Sequence, residues 1–438
     1  MIIDHKLFAL PILLTLSACG VANTDINQEG WGSDSVDQRY RPSLNWIDNF
    51  SDAKVVTADG SLSEAIDACD EVAGGNKYCV VTVSDSTTGA AVDIFRSNTK
   101  IIGSNRTTPL IPSKNGTFIY IGENTQNVVI ESLTLKGRHV GEDELFAIVV
   151  EGKKINNILI KSNMIFEFNS DENAHGIAVF GTGITEQEAI TNVVIDNNTI
   201  HTMRTGSSES LVVNGNVSGW EITNNKIYDV NNIAIDAIGG EGVSTKLATD
   251  EHGRQLPGKF DAARNGFIEG NSVTNMSTKD NPAYGNDYTW AGAIYVDGGH
   301  HIQIKDNTVV NAPWAYDVGS ENCLTSSHIT LTGNTASRSY YGDLLLGGYA
   351  ETGYLEDKNI DCNPNNTEDA NEGHGYVRFV TVKDNFFNTL EPVDKDTSNA
   401  LIQYRTTNSI VVGTSVKPSN ESGNGVVTGD DNSIKTIE

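Results

Sequence analysis

Positive charge is scarce in this chain. Its 438 residues carry 30 Lys plus Arg against 57 Asp plus Glu, a formal net charge of −27. A surface of this sign excludes nucleic-acid binding through phosphates. It also repels a polyanionic substrate unless a cation or a local basic patch intervenes. Cysteine is rare as well, at five. No Cys-x-x-Cys pair and no His/Cys cluster has the spacing of a zinc site. The phosphate-binding loop, the dinucleotide glycine motif and the Gly-x-Ser-x-Gly elbow are missing, and Gly239-Gly240-Glu241-Gly242 reads as a turn. No helical period lies between the strand-like segments, which excludes ankyrin and leucine-rich arrays. The early apolar run, Leu7 to Leu16, is too short to span a bilayer as a mature helix.

That run follows Lys6 and ends in Leu16-Ser17-Ala18-Cys19. The ending resembles the lipobox of bacterial lipoproteins, which implies cleavage before Cys19 and lipid on its thiol. Residues 1–18 then read as an export signal and 19–59 as a linker. The product would be lipid-anchored at a bacterial membrane, or secreted, and would meet the membrane only through its anchor. An ordinary secretory signal is the alternative. Setting Cys19 aside leaves an even number, and outside the cytoplasm cysteines pair. Nearest-neighbour pairing gives Cys69–Cys79 and Cys323–Cys362, with four free thiols as the alternative.

What is abundant is one phrase: apolar-x-apolar, a polar pair ending in Asn, then a second apolar alternation. It appears as Ile158-Leu-Ile-Lys-Ser-Asn-Met-Ile, Val194-Ile-Asp-Asn-Asn-Thr-Ile and Trp220-Glu-Ile-Thr-Asn-Asn-Lys-Ile. It returns at Phe267, Ile302, Ile329 and Val380. Asn198 to Asn225 and Asn307 to Asn334 are each 27 residues. A period in the twenties built of short strands predicts an all-β solenoid whose coils stack at about 4.8 Å. Asn suits the corner because it tolerates left-handed backbone and bonds to neighbouring backbone. A β-sandwich, the alternative, needs hairpin turns every 8–12 residues or so.

The pattern resembles the right-handed parallel β-helix superfamily of pectate-lyase-like proteins over roughly residues 60–412, leaving 413–438 as a polar tail. In that resemblance Ser61-Leu-Ser-Glu-Ala-Ile-Asp-Ala-Cys69 is the N-terminal capping helix and Thr99-Lys-Ile-Ile-Gly-Ser-Asn105 the first full coil. It implies one domain, most simply a monomer, that acts on or binds a polysaccharide. It does not select the chemistry, because the fold hosts lyases, hydrolases, epimerases and adhesins.

Side chains alternate in and out along each strand. Aligning the second strands puts Ile233, Ile235, Ile294, Val296, Tyr316 and Val318 inside. The outward column then reads Phe180, Asn214, Asp236, Asp297, Asp317, Gly347, with Tyr295 beside it. Three carboxylates on successive coils would stand about 5 Å apart and repel unless protons or cations are shared. Insertions project nearby, Gly240 to Phe260 and Asn281 to Trp290. They offer Tyr284, Tyr288 and Trp290 as rings for stacking on sugars. Lys259, His252 and Arg264 are the cations in reach, and His300-His301 reads as a turn pair.

Two chemistries follow. In glycoside hydrolysis a carboxylate pair needs no cofactor. Asp-Val-Asn-Asn-Ile-Ala-Ile-Asp, Asp229 to Asp236, resembles the stretch bearing the catalytic aspartates of β-helical lacto-N-biosidases. That resemblance implies Asp229 as acid/base and Asp236 as nucleophile. In a polysaccharide lyase, such as one acting on a biofilm matrix, Asp236, Asp297 and Asp317 would hold Ca²⁺. Arg264 or Lys259 would then be the base. A non-catalytic carbohydrate-binding solenoid is the third reading.

Overall fold

Each repeat contains short runs in which every second residue is aliphatic, so one face of each run must leave water. Stacking the runs coil on coil buries that face and pairs every backbone group with the next coil. The computed structural model describes residues 31–438 apart from 76, 104–106, 245–247, 250–254, 257, 259, 322–323, 349–375, 390–400, 405, 417–425, 429–433 and 438. Among the described residues the coil strands form three parallel sheets of 14, nine and 11 strands, and Ala248–Thr249 pairs antiparallel with Gln255–Leu256 in an insertion. The chain visits the sheets in rotation: Asn156–Lys161 lies in the first, Met164–Phe166 in the second and Ala174–Gly181 in the third. This is the parallel β-helix expected from the repeat. Leu211, Ile235, Ile294, Tyr316 and Leu344 stand in one inward column, fully buried. The polar end of Tyr316 is satisfied there, its hydroxyl donating to the carbonyls of Asn307 and Thr335 at 2.9 Å.

The corner asparagines bond to neighbouring backbone as expected, but they are not the residues in left-handed backbone. Left-handed backbone falls on the residue before each of them: Asn197 (φ 54°), Asn224 (55°), Asp306 (53°) and Asp384 (52°). The second residue turns inward and builds a ladder through Asn163, Asn198, Asn225, Asn271, Asn307, Asn334 and Asn385. The Nδ2 of each donates to Oδ1 of the next at 2.9–3.0 Å. The same Oδ1 accepts the backbone N–H of the preceding rung, as Asn225 does from Asn198 at 2.9 Å. The ladder satisfies backbone groups at a buried corner where the strands stop pairing.

The helix Leu62–Ala73 closes the open end, starting from a Ser61/Glu64 capping box. Its buried face is Leu62, Ala65, Ile66 and Cys69, and Cys69 is disulfide-bonded to Cys79 on the strand Cys79–Val83. Cys323 and Cys362, and residues 1–30 with Cys19, lie outside the described residues. No described helix is long and apolar enough to cross a membrane.

The coils extend beyond 60–412. Lys54–Ala58 pairs with Cys79–Val83, while Val426–Thr428 and Ile434–Ile437 join the sheets at the other end. These last strands are only three and four residues long and sit in polar sequence, which hides them from a periodicity reading.

Within the segment expected as a linker, residues 31–53 form a strap. It lies on the outer face of the 14-stranded sheet and runs against the direction of coil stacking. The Gly32 N–H bonds the carbonyl of Asn408, and Arg41 meets Glu221 and Glu269 at 3.0 and 2.8 Å. Trp46 and Phe50 then pack with Val129, Leu159 and Val194.

Candidate active site

Asp236 lies on the strand Ile235–Ile238, Tyr295 and Asp297 on Gly292–Asp297, and Asp317 on Trp314–Ser320, all in the 11-stranded sheet. The in-and-out alternation is as expected. The register holds from Phe180 to Asn214 and differs by two residues at each of the four later steps of the expected column. Asp236 pairs with Tyr295 and Tyr295 with Asp317, so the outward column reads Val149, Ala178, Val212, Asp236, Tyr295, Asp317, Leu345. Asp297 stands in the neighbouring column, beside Gly319 and then Gly347, while Asn214 pairs with Ile238. Asp236 comes early in its strand because Ala237 and Ile238 continue the pairing. Asp297 ends its own strand.

The carboxylates do not face open solvent. Asp236, Asp297 and Asp317 are 2%, 4% and 5% exposed, beneath the insertion that carries Tyr284 and Trp290. They line a cavity of about 270 Å³ with Tyr284, Trp290 and Tyr295. Three glutamates join them, Glu209, Glu241 and Glu321. Sequence reasoning missed these because they sit in turns outside the strands, where alternation gives no direction. Glu241 lies in the glycine-rich turn itself, fixed by Asn214 Nδ2 donating to its carboxylate at 2.6 Å.

Geometry fixes several of the groups. The Glu321 backbone N–H donates to Asp297 at 2.6 Å, and the Tyr295 hydroxyl donates to the Glu321 carboxylate at 3.1 Å. Tyr295 reaches that far by lying across Gly319, where any Cβ would come within 2.6 Å of its hydroxyl. Asn232 Nδ2 donates to Tyr284 at 3.1 Å, which pins the insertion over Asp236. Asp236 Oδ1 and Asp317 Oδ1 are buried with no hydrogen-bond partner.

Electrostatics follow from this crowding. Burial pushes the Asp236 carboxyl well above the carboxylate range, and Glu209, Asp297 and Glu241 add to the push. Burial does the same to Asp317, helped by Glu321 and Asp297. Glu209 rises to about 8, through burial first and then Glu241 and Glu321. Burial and the same anions raise the Tyr295 phenol well above 10. The cluster therefore holds protons at neutral pH.

Other expected site residues lie elsewhere. Asp229 is on Lys226–Asn231 in the nine-stranded sheet, exposed and in left-handed backbone, and accepts from Asn275 Nδ2 at 2.9 Å. The corner after Asn231 puts it on a different sheet from Asp236, so the Asp229/Asp236 pair does not form. Arg264 is on Ala263–Glu269 in the 14-stranded sheet, buried beside Phe260, and is not among the residues lining the cavity. Tyr288 stacks on Tyr340 at 4.1 Å in an adjoining pocket. His300 and His301 begin a strand rather than make a turn. Lys259 and His252 lie outside the described residues. Among the described residues no three His, Cys, Asp or Glu side chains converge to hold a metal ion. The register explains this for the expected calcium set, since Asp297 stands out of line with Asp236 and Asp317.

The chain thus folds as a parallel β-helix with a buried carboxylate cavity on one sheet. No protein family model matches it. It is similar to the uncharacterized protein YwoF of Bacillus subtilis (strain 168), 33% identical over 235 residues, which are 51% of this chain and 45% of that protein. The matched part is therefore less than half the length of that relative. Among solved structures it is similar to the family 28 exopolygalacturonase of Yersinia enterocolitica, at 9% identity and a TM-score of 0.49. That match covers 88% of this chain and 78% of the other. It is also similar to the A-module of the Azotobacter vinelandii mannuronan C-5 epimerase AlgE6, at 13% identity and a TM-score of 0.46 over 86% and 93% of the two chains.

Proposed function

We propose that this protein hydrolyses glycosidic bonds of a polysaccharide bound along the 11-stranded sheet. The observation that carries the reading is the cavity. Two buried carboxyls with unpartnered oxygens face a space that is walled by Tyr284, Tyr295 and Trp290. An orphaned buried carboxyl oxygen costs stability, and a site for chemistry is one reason to keep it. Leading to the cavity, the outer face carries Tyr120, Phe146 and Phe180 against Val149, Ala178 and Val212, an apolar bed suited to sugar rings.

In this reading Asp236, held protonated by burial and by its anionic neighbours, is the proton donor to the leaving oxygen. Asp297, oriented by the Glu321 N–H, takes the proton of the attacking water. The two differ by one coil and two residues along the strand, about 8 Å between Cα atoms. Carboxyls held at about the spacing of their Cα atoms leave room for a water, which favours inversion. Asp317 and Tyr295 hold and orient the sugar between them. β-Elimination has weaker support. It requires neutralisation of the uronate and a base near C5, and the described residues lining the cavity include no Lys, Arg or His for either role. Calcium held by Asp236, Asp297 and Asp317 would serve only after those side chains moved together.

The test is a panel of bacterial and algal polysaccharides incubated with the protein. New reducing ends without ultraviolet absorbance of an unsaturated uronide support hydrolysis. Appearance of that absorbance overturns it in favour of elimination.

A further inference from the structure

Hydrolysis uses two carboxylates, and the cavity holds six. The surplus is not spread evenly. Glu209 and Glu241 both act on Asp236, and each is independent of the strand positions that carry the proposed acid and base. Glu209 lies in the loop before the strand Leu211–Gly215, and the Nδ1 of its neighbour His175 bonds the Glu209 carbonyl at 2.8 Å and stands 3.9 Å from its carboxylate. Burial holds His175 at about 4, so it stays neutral and supplies no counter-charge. Glu241 is held in place by Asn214. No described cation lines the cavity to balance these groups. An acidic pocket in a chain of net charge −27 repels a uronate and attracts a cation.

Resting on the reading of this cavity as a sugar site, we propose that the sugar bound beside Asp236 carries a free amine. The substrate class is then a polysaccharide containing unacetylated hexosamine. An ammonium group fits what is present better than a metal ion does. An ammonium bonds directly or through water and needs no closed shell of oxygens, so it suits carboxylates that line one cavity without converging, as Glu209, Glu241 and Asp236 with its unpartnered Oδ1 do. The ring of Trp290, half open at the cavity, adds a face that attracts cations. Binding the ammonium would draw the shared proton off Glu209, so sugar binding releases protons near neutral pH.

The experiment is a binding titration at pH 6, independent of cleavage, read by calorimetry and by Trp fluorescence. The probes are three tetrasaccharides: glucosamine, N-acetylglucosamine and galacturonate. The inference expects the glucosamine tetramer to bind at least about tenfold more tightly than the acetylated one, and the galacturonate tetramer weakest. In Glu209→Gln and Glu241→Gln the preference for the glucosamine tetramer over the acetylated one should shrink severalfold. Equal or tighter binding of the acetylated tetramer, or a preference that survives both substitutions, overturns the inference and leaves the sugar site standing. Calcium that promotes galacturonate binding also overturns it. Failure of all three probes to bind overturns the sugar site itself.

Discussion

Asp236 shows how a residue's chemistry is set by what covers it. Its alternation between Ile235 and Ala237 was enough to place it on the outer face. The cover was not legible, because the insertion ending in Trp290 has no strand period to say where it folds. The result is an outward carboxyl only 2% exposed. Asp236→Asn keeps the shape and removes the titrating proton. Cleavage should fall by roughly 10²–10⁴-fold, while stability holds or rises as one member of a repulsive cluster is lost. Activity close to wild type on a confirmed substrate would move the proton donor elsewhere. Glu209 makes a second prediction through pH. Its carboxyl lies at about 8 in the folded chain, against 4.5 for an ordinary glutamate. The folded state then binds a proton that the unfolded state has released, so this group's contribution is present below about 4.5 and is lost as pH rises to about 8. Glu209→Gln should flatten the decline of denaturant midpoint over that window. An unchanged slope would show that Glu209 does not hold the proton.

At the scale of elements, the repeat phrase exposed the coils and their stacking direction because one polar pair recurred at every corner. It did not show which member of the pair did what. The two members are adjacent polar residues, and only the stacked coordinates show that the first takes the left-handed backbone and the second turns inward. Asn225 is the clearest case. Its side chain donates to the carbonyl of Ile195 and to Asn271, and accepts from the backbone and the side chain of Asn198. Asn225→Ala strands several buried polar groups at once, and at about 1–3 kcal/mol per group the loss should be at least on the order of 3 kcal/mol. Urea unfolding measures this, and a loss below about 1 kcal/mol would mean water replaces the rung. Register was the harder inference. A two-residue slip keeps every side chain on the correct face, so the alternation that identified Tyr295 and Asp297 as outward could not choose which one stands beside Asp236. Asp229 was misplaced for a related reason. A seven-residue spacing looks local in sequence but spans a corner between two sheets. The strap was hidden too, since its contacts, such as Arg41 over the Phe267 ring at 4.0 Å, join residues far apart in sequence.

At the scale of the whole molecule, charge and architecture support the same account. The solenoid supplies a rigid sheet on which a long chain can lie, and the insertion makes one closed place upon it. The acidity that excluded nucleic acid reappears inside the cavity, where it bears on the substrate. Export belongs to this scale. If Cys19 is the lipidated start of the mature chain, mass spectrometry of membrane-extracted protein should find an N-terminal Cys19 bearing diacylglycerol. A start elsewhere, or an unmodified Cys19, would remove the anchor and leave the enzyme reading intact. The central claim is that the buried carboxyls of the 11-stranded sheet perform hydrolysis. Proton NMR of a purified oligosaccharide product, followed from the first minutes of cleavage, tests it most directly. The account predicts a reducing end that first appears with inverted anomeric configuration, formed by the wild type and abolished in both Asp236→Asn and Asp297→Asn. A retained anomer, an unsaturated uronide, or undiminished product from either variant would contradict it.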